Sequence, residues 1–501
     1  MKFLLKQILS VSFLAVLFSS CKKDLLDINV DPNNPTTVSA SAGLVLPAAL
    51  SATASIYNNP VIGNNGFVFA GLWLGHVSYS GNYAIQTENV SYNITNNFGS
   101  GIFTELYDNI NDYDFVEKNG AATSNLFYQG IGILMKAYNF QTLVDLYNNV
   151  PYSQALQGTA NTKPAYDNGK DIYDSLAIKM DTAISYFTTV SSSGTISITG
   201  DIMFGGDASQ WLQFANTVKL RLLLRQTEIA DRQSYIQTEA AKLDSVSFLA
   251  SDATINPGYS ASDGKANPFY ESNVKVTIPD PVAGYNQTLY RPGQYAINFF
   301  KTHNDPRLGS FYQPVGGSGN TYVGNFFGDQ GIPNNGTSQF GYGVLKSPNQ
   351  NSVLMLAAES YFLQSEAVLR GLITGDAKAL YQSGVEASFE YLGLAQDDAI
   401  TYYSQPGDKQ VNWDATTTFQ EKLALIIRQK WAALTLINEL EPYNDYRRLH
   451  LPADVPLSTS PFSTGIFPNR LRYPQREFEV NAANVSAQGN PTAGDKVWWI
   501  P

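Results

Sequence analysis

The stretch NSVLMLAAESYFLQSEAVLRGLITGDAKALYQSGVEASFEYLGL, Asn351 to Leu394, constrains the fold more than any other part of the chain. Leu354, Ala357, Ala358, Tyr361, Ser365 and Val368 recur at the three- and four-residue steps of an amphipathic helix. Gly371 and the Thr374-Gly375-Asp376 turn break that run and offer a cap for a second helix. The second helix repeats Leu380, Gly384, Ala387 and Tyr391, then stops at Gly393, a residue that takes the left-handed conformation ending many helices. Small residues (Ala357, Ala358, Ala367, Gly384, Ala387) sit where the two helices approach each other. A hairpin of this make-up buries its remaining apolar face only against neighbours, which predicts a mainly α fold of tetratricopeptide-like helical hairpins.

Helical period recurs elsewhere. It predicts a first helix within Gly43–Ile56, a short one around Phe67–Leu74, and longer ones over Ile102–Lys118, Ser124–Tyr147 and Asp171–Phe187. Asp207 is placed to cap a helix carrying Trp211, Phe214, Val218 and Leu222. Thr418 and Glu421 have the spacing of a capping box before Leu423, Ile427, Trp431, Leu434 and Ile437. Two stretches break the pattern. Gly63 to Gly101 interleaves Gly, Asn and Tyr with Trp73, His76, Tyr79, Tyr83 and Tyr92, and reads as a long surface loop after its helical start. Ser247 to Gln350 is rich in Gly, Pro, Asn and Tyr, with a helix signal only at Gln294–Lys301, and reads as an excursion of loops and short hairpins. Leu451 to Pro501 is punctuated by proline and mostly irregular.

Only 15% of the 501 residues are charged, so the surface leans on Asn, Ser, Thr, Gly and Tyr. Such a surface suits uncharged polar ligands better than anions. The net charge is −11 and no basic cluster exists, which argues against a nucleic-acid partner. The single cysteine excludes internal disulfides and Cys-rich metal sites.

That cysteine follows MKFLLKQILSVSFLAVLFSS, in which Lys2 and Lys6 form a positive start, Ile8 to Phe18 an apolar core and Ser19-Ser20 a small-residue cleavage site. The apolar run is too short for a bilayer, which needs ~20 residues. A small-small-Cys ending resembles a lipobox, with Phe18 in place of the usual leucine. The expected organisation is a signal peptide over residues 1–20, a lipidated tether over 21–37 beginning at Cys21, and one domain over 38–501 with a loop-rich insertion at about 247–350. Removing the leader leaves 30 basic against 43 acidic residues, a charge of −13.

Catalytic and metal signatures are sparse. His76, His303 and His450 belong to no ligand motif, Gly316-Gly317-Ser318-Gly319 precedes no helix, and the DNINDYD run from Asp108 lacks the glycine of a calcium loop. No metal or cofactor is called for. Glu359 and Glu366 share one helix face about 10 Å apart along the axis, at or beyond the roughly 5–9.5 Å that glycosidases use. Met355 and Phe362 lie on that face too, so the pair is read as structural, held by a cation such as Arg428 or Lys430. Glu88 near Tyr83 lacks an evident second carboxylate. The aromatic loops carry the functional signal, because flat rings stack on sugars or pack on peptide side chains while amides orient the ligand. Trp73, Tyr79, Asn82 and Tyr83 form the densest cluster, and Tyr322, Asn325, Phe326 and Phe327 a facing wall.

The hairpin sequence resembles the central block of the SusD/RagB-like outer-membrane nutrient-binding lipoproteins, in particular their second SusD-like subfamily. DIMFGGDASQWLQFANTVKLRLLLR (Asp201–Arg225) resembles the family's GD-x-x-x-W-x-x-F-A-N segment. EKLALIIRQKWAALTLINELEPYNDYRRLHLP (Glu421–Pro452) resembles its Gln-Lys-Trp to Tyr-Arg-Arg block. FPNRLRYPQREFEVNAANV (Phe467–Val485), Trp498-Trp499 and DINVDPNNPT (Asp27–Thr36) fit as well. The resemblance implies a helical scaffold bearing irregular binding loops. It also implies a lipid-anchored, cell-surface protein of the outer membrane that captures an oligosaccharide or peptide without catalysis. Such a protein serves as lid to a SusC-like TonB-dependent transporter. The competing classes are a surface lipoprotein glycoside hydrolase and an adhesive surface protein.

Overall fold

The computed structural model describes residues 40–58, 67–85, 87–275 and 282–501, so Cys21 and the tether lie outside the described residues. Its principal helices are α1 (Ala42–Asn58), α2 (Val68–Trp73), α3 (Ser100–Ala122), α4 (Leu126–Tyr147), α5 (Gly169–Ser193), α6 (Ala208–Leu224), α7 (Gln294–Thr302), α8 (Ala357–Leu369), α9 (Ala377–Tyr391), α10 (Gln396–Tyr403), α11 (Phe419–Ala433) and α12 (Leu440–Leu449). The strands that matter below are β1 (Val77–Tyr79), β2 (Ala253–Ile255), β3 (Tyr290–Pro292) and β4 (Ser352–Met355). The fold is mainly α-helical.

The helices pack as successive antiparallel neighbours, α3 on α4, α4 on α5 and α5 on α6. α6 contacts α8, and the hairpin α8–α9 joins α11 and α10. Side-chain caps fix where the helices begin. Asn125 accepts from Phe127 and Tyr128 N–H, Asp207 from Ser209 and Gln210, and Asp376 from Lys378 and Ala379. Both halves of the Thr418–Glu421 capping box form. Gly384 allows the expected close approach of the hairpin: a Cβ there would lie 2.8 Å from the Phe362 ring. Residues from Ala42 to Ile500 contribute to one large apolar cluster, with Trp73, Trp211, Trp431 and Trp499 fully buried in it.

Three expectations change. Leu354 and Met355 belong to a strand, not to the start of the hairpin helix. The four residues of β4 are all buried and pair antiparallel with β2, while Asp252 accepts from Ala357 N–H at 2.8 Å and starts α8 there. The 247–350 excursion also holds short helices at Pro268–Asn273, Tyr285–Leu289 and Arg307–Phe311, too brief to show a period in sequence. Lastly, the stretch read as a surface loop after Trp73 is largely interior. Residues from Phe67 to Ser80 are buried but for the half-buried Val68, because β1 pairs with β3 and the chain passes under the 322–334 segment.

The segments that carry the family resemblance are packing segments. Trp211 donates its indole N–H to Asp201 at 2.9 Å, Phe214 is buried, and Asn216 donates to the Ser247 carbonyl at 2.9 Å. Arg447 donates to the Asp145 and Asn469 carbonyls at 2.6 and 2.7 Å, and Trp499 donates to the Asp145 carboxylate at 2.8 Å.

Candidate functional site: a loop face and a buried carboxylate pair

Glu359 and Glu366 are 0% and 1% exposed, so neither meets solvent or substrate. Glu366 receives both terminal nitrogens of Arg448, at 2.6 and 2.8 Å, and Nε of Arg370 at 2.8 Å. Burial alone would raise its carboxyl, but the two guanidiniums overcome that and hold it at about 2. Glu359 is paired less well. Arg221 stands 3.6 Å away and the Asn438 amide donates at 3.2 Å. Burial, reinforced by the neighbouring Glu441, pushes Glu359 above the ordinary glutamate range. Glu441 itself, despite burial, is held low by Arg225, Arg221 and Lys430. The partners anticipated for Glu359 and Glu366 act differently. Arg428 bonds Asp454, and Lys430 reaches Asp445 at 2.9 Å, influencing both glutamates through space. Arg221 of α6, Lys430 of α11 and Arg448 of α12 point into this interior, so it is a balanced structural network.

The two aromatic stretches do come together. β1 and β3 align Tyr79 with Tyr290 and Ser78 with Arg291. The Asn325 amide then donates to the Tyr79 carbonyl at 2.8 Å and to the Ile332 carbonyl at 3.1 Å, while its own oxygen accepts from Ile332 N–H at 2.7 Å. Ser78 Oγ donates to the Phe326 carbonyl at 3.1 Å, and Asn334 N–H to Asn82 Oδ1 at 2.6 Å. Gly81 permits a close crossing, since a Cβ there would stand 2.3 Å from the Gly331 carbonyl oxygen.

Within this assembly the anticipated residues divide. Trp73 is 0% exposed, stacked on Phe98 and donating to the Asn89 carbonyl at 3.1 Å. Tyr79 is 1% exposed, its hydroxyl accepting from the Asn89 amide at 2.9 Å. Phe327 packs against Tyr92, and Asn325 is spent on the backbone bonds just described, so none of these four offers a face to a ligand. Asn82 is exposed, Tyr83 and Tyr322 are half-buried, and Phe326 is 52% exposed with Ile332 open nearby at 43%. Tyr83 directs its hydroxyl to Thr288 at 3.3 Å, which fixes its ring at the rim.

One residue of this face escapes sequence reasoning. Arg291 is buried beneath it, donating Nε to Asn334 at 2.7 Å, and has no carboxylate within ion-pair distance among the described residues. Burial lowers its guanidinium to about 10, with Tyr83 opposing. Nothing in Tyr290-Arg291-Pro292 signals this, because the placement depends on a strand partner more than two hundred residues earlier. The histidines are not gathered either: His76 bonds Glu439, His303 bonds Asp408 at 2.6 Å, and among the described residues no group of three His, Cys, Asp or Glu is arranged to hold a metal. No helix among them is long and apolar enough to cross a membrane.

Solved structures with this fold include a SusD-like protein from Bacteroides thetaiotaomicron, 23% identical, with TM-score 0.72 over 91% of this chain and 98% of that one. A chitin-binding SusD homologue from Flavobacterium johnsoniae is 22% identical, with TM-score 0.74 and coverage of 91% and 98%. A further chitin-binding protein is 24% identical, with TM-score 0.73 over 92% and 99%. No curated protein matches. Residues 32–474 match the SusD-like family model described as starch-binding and associating with the outer membrane, and the chain belongs to that family.

Proposed function

We propose that this protein is a cell-surface lipoprotein, anchored through Cys21, that captures an oligosaccharide or peptide and passes it to a SusC-like TonB-dependent transporter for which it serves as lid. Residues 38–501 act as one binding body on the tether. The observation that carries this reading is the family membership over 32–474 together with the loop face, where Phe326 and Ile332 stand in solvent beside Asn82 and Tyr83. Exposed apolar side chains ringed by amides are what a sugar or peptide site requires. The ligand contacts are assigned to Asn82, Tyr83, Tyr322 and Phe326, with Trp73, Tyr79, Asn325 and Phe327 as their support. Capture and release need only different ligand affinities in the open and closed lid states, so no catalytic step is invoked. The chitin-binding relatives make chitooligosaccharides the first saccharides to try.

Mild-detergent purification of the tagged protein from its native host tests the partnership. Near-equal recovery of a TonB-dependent barrel is expected. Recovery of the lipoprotein alone, with the barrel expressed and intact, favours the hydrolase or adhesin alternatives. Cys21→Ala is expected to release the protein from the membrane fraction, and retention of this variant contradicts the anchor.

A further inference from the structure

A groove of about 750 Å³ lies away from the loop face, where β2 and β4 meet the outer side of the α8–α9 hairpin. Its size falls in the roughly 300–1,000 Å³ range of small-ligand clefts. Asp252, Lys346, Tyr361, Glu386, Glu390 and Tyr391 line it. Their chemistry is mixed and incompletely used. Lys346 lies 3.6 Å above the Tyr391 ring and donates to the Tyr391 carbonyl, and burial lowers its ammonium. Asp252 spends one oxygen on Ala357 N–H, and burial raises its carboxyl. Lys346 and Asp252 feel each other's charge yet form no ion pair among the described residues. Glu386 is committed to Tyr403 and Gln396, whereas Glu390 stands exposed at the edge. The half-buried Tyr361 ring completes the wall.

A ligand filling this groove must accept from Lys346 and donate to Asp252 and Glu390. It must do so at closely spaced points and must lie along an aromatic face. Adjacent hydroxyls on a sugar ring satisfy all of this, since each both donates and accepts and the ring presents a C–H face. Anionic ligands meet the carboxylates, and a peptide backbone carries one N–H per residue where a sugar carries several hydroxyls. We infer that the groove is a second saccharide-binding site, on the scaffold rather than on the loops, taking a short stretch of an uncharged oligosaccharide. This rests on the saccharide branch of the proposed function.

The test is calorimetric titration of the full-length protein with maltohexaose, cellohexaose and chitohexaose. Each is repeated on Lys346→Met/Glu390→Gln, on Tyr361→Ala, and on the loop-face variant Tyr83→Ala/Phe326→Ala. The Gln replacement keeps side-chain length and the Met replacement keeps most of the apolar stem, and thermal melts establish that each variant is folded. The expected result is at least one saccharide whose binding persists in the loop-face variant and weakens about ten-fold in the groove variants, the effect of losing a hydrogen bond to a charged group. Binding abolished by the loop-face variant and untouched by folded groove variants overturns the inference while leaving the functional reading standing. Absence of binding by all three saccharides overturns the inference.

Discussion

The α8–α9 hairpin region and the loop face invert the usual burial rule in opposite ways. Beneath the hairpin the charges go inside: Glu359, Glu366, Arg448, Lys430 and Asp445 are all 2% exposed or less. On the loop face the apolar groups go outside, with Phe326 and Ile332 in solvent. Both departures cost free energy, but only the first is offset within the chain, by guanidinium–carboxylate pairs and hydrogen bonds. The second has no partner among the described residues, which is why it reads as a binding surface. Unusual chemistry alone therefore does not mark a site. What marks it is chemistry left uncompensated.

The contrast is sharpest under mutation. Arg448→Met removes both donors that grip Glu366 from α12 and leaves the buried carboxylate to Arg370 alone, with an expected loss of about 3–5 kcal/mol. Trp73→Ala, in the aromatic core under the loop face, is expected to cost a similar ~3–5 kcal/mol. Urea denaturation reads both. A loss near zero for Arg448→Met would mean that the network is dispensable and the comparison false.

Acid should separate the two glutamates of α8. Glu366 titrates lower in the fold than the ordinary 4.5, so it contributes stability above pH 4.5 that is lost as pH falls toward about 2. The contribution is about 3 kcal/mol. Glu359 is raised, so the folded chain holds its proton more tightly than the unfolded chain, and its effect has the opposite sign. It favours folding most in acid and progressively less as pH rises above 4.5. Glu359→Gln keeps an acceptor for Asn438 and is expected to gain stability relative to wild type between pH 5 and pH 8. A pH-independent difference over that interval would show that Glu359 is ionised throughout.

The smallest effects belong to the loop face. Phe326→Ala and Tyr83→Ala are each expected to lower ligand affinity by ~1 kcal/mol, several-fold, with stability changed by no more than ~0.5 kcal/mol. Isothermal titration and thermal melts on the same samples decide this. If stability falls and affinity does not, these rings are structural like Trp73, and the distinction between the two regions collapses.

Local signals in the chain were faithful wherever the physics is local. The caps at Asp207, Asp376 and Thr418 and the periods of α4, α5 and α9 needed only neighbours a few residues away. They failed where a distant partner intervened. Leu354 keeps helical spacing with Ala358 and Tyr361, yet pairing with β2 makes it a strand residue. Arg428 and Lys430 carry the right charge for the glutamates of α8, but Arg448, one helix later, reaches Glu366 first.

The sequence by itself determined that this chain is a helical scaffold carrying aromatic-rich irregular stretches, because period, capping and composition act within a few residues. Tertiary structure alone decided which rings face outward. Trp73, Tyr79, Tyr83 and Phe326 are alike in sequence as aromatic residues of the two Gly- and Asn-rich stretches. The rings of Phe69, Phe98 and Tyr443 enclose Trp73, and the pairing of β1 with β3 and the Asn325 bond to its carbonyl enclose Tyr79, while the last two stay at the surface. Burial is a property of what packs above a residue, and nothing near it in the chain encodes that.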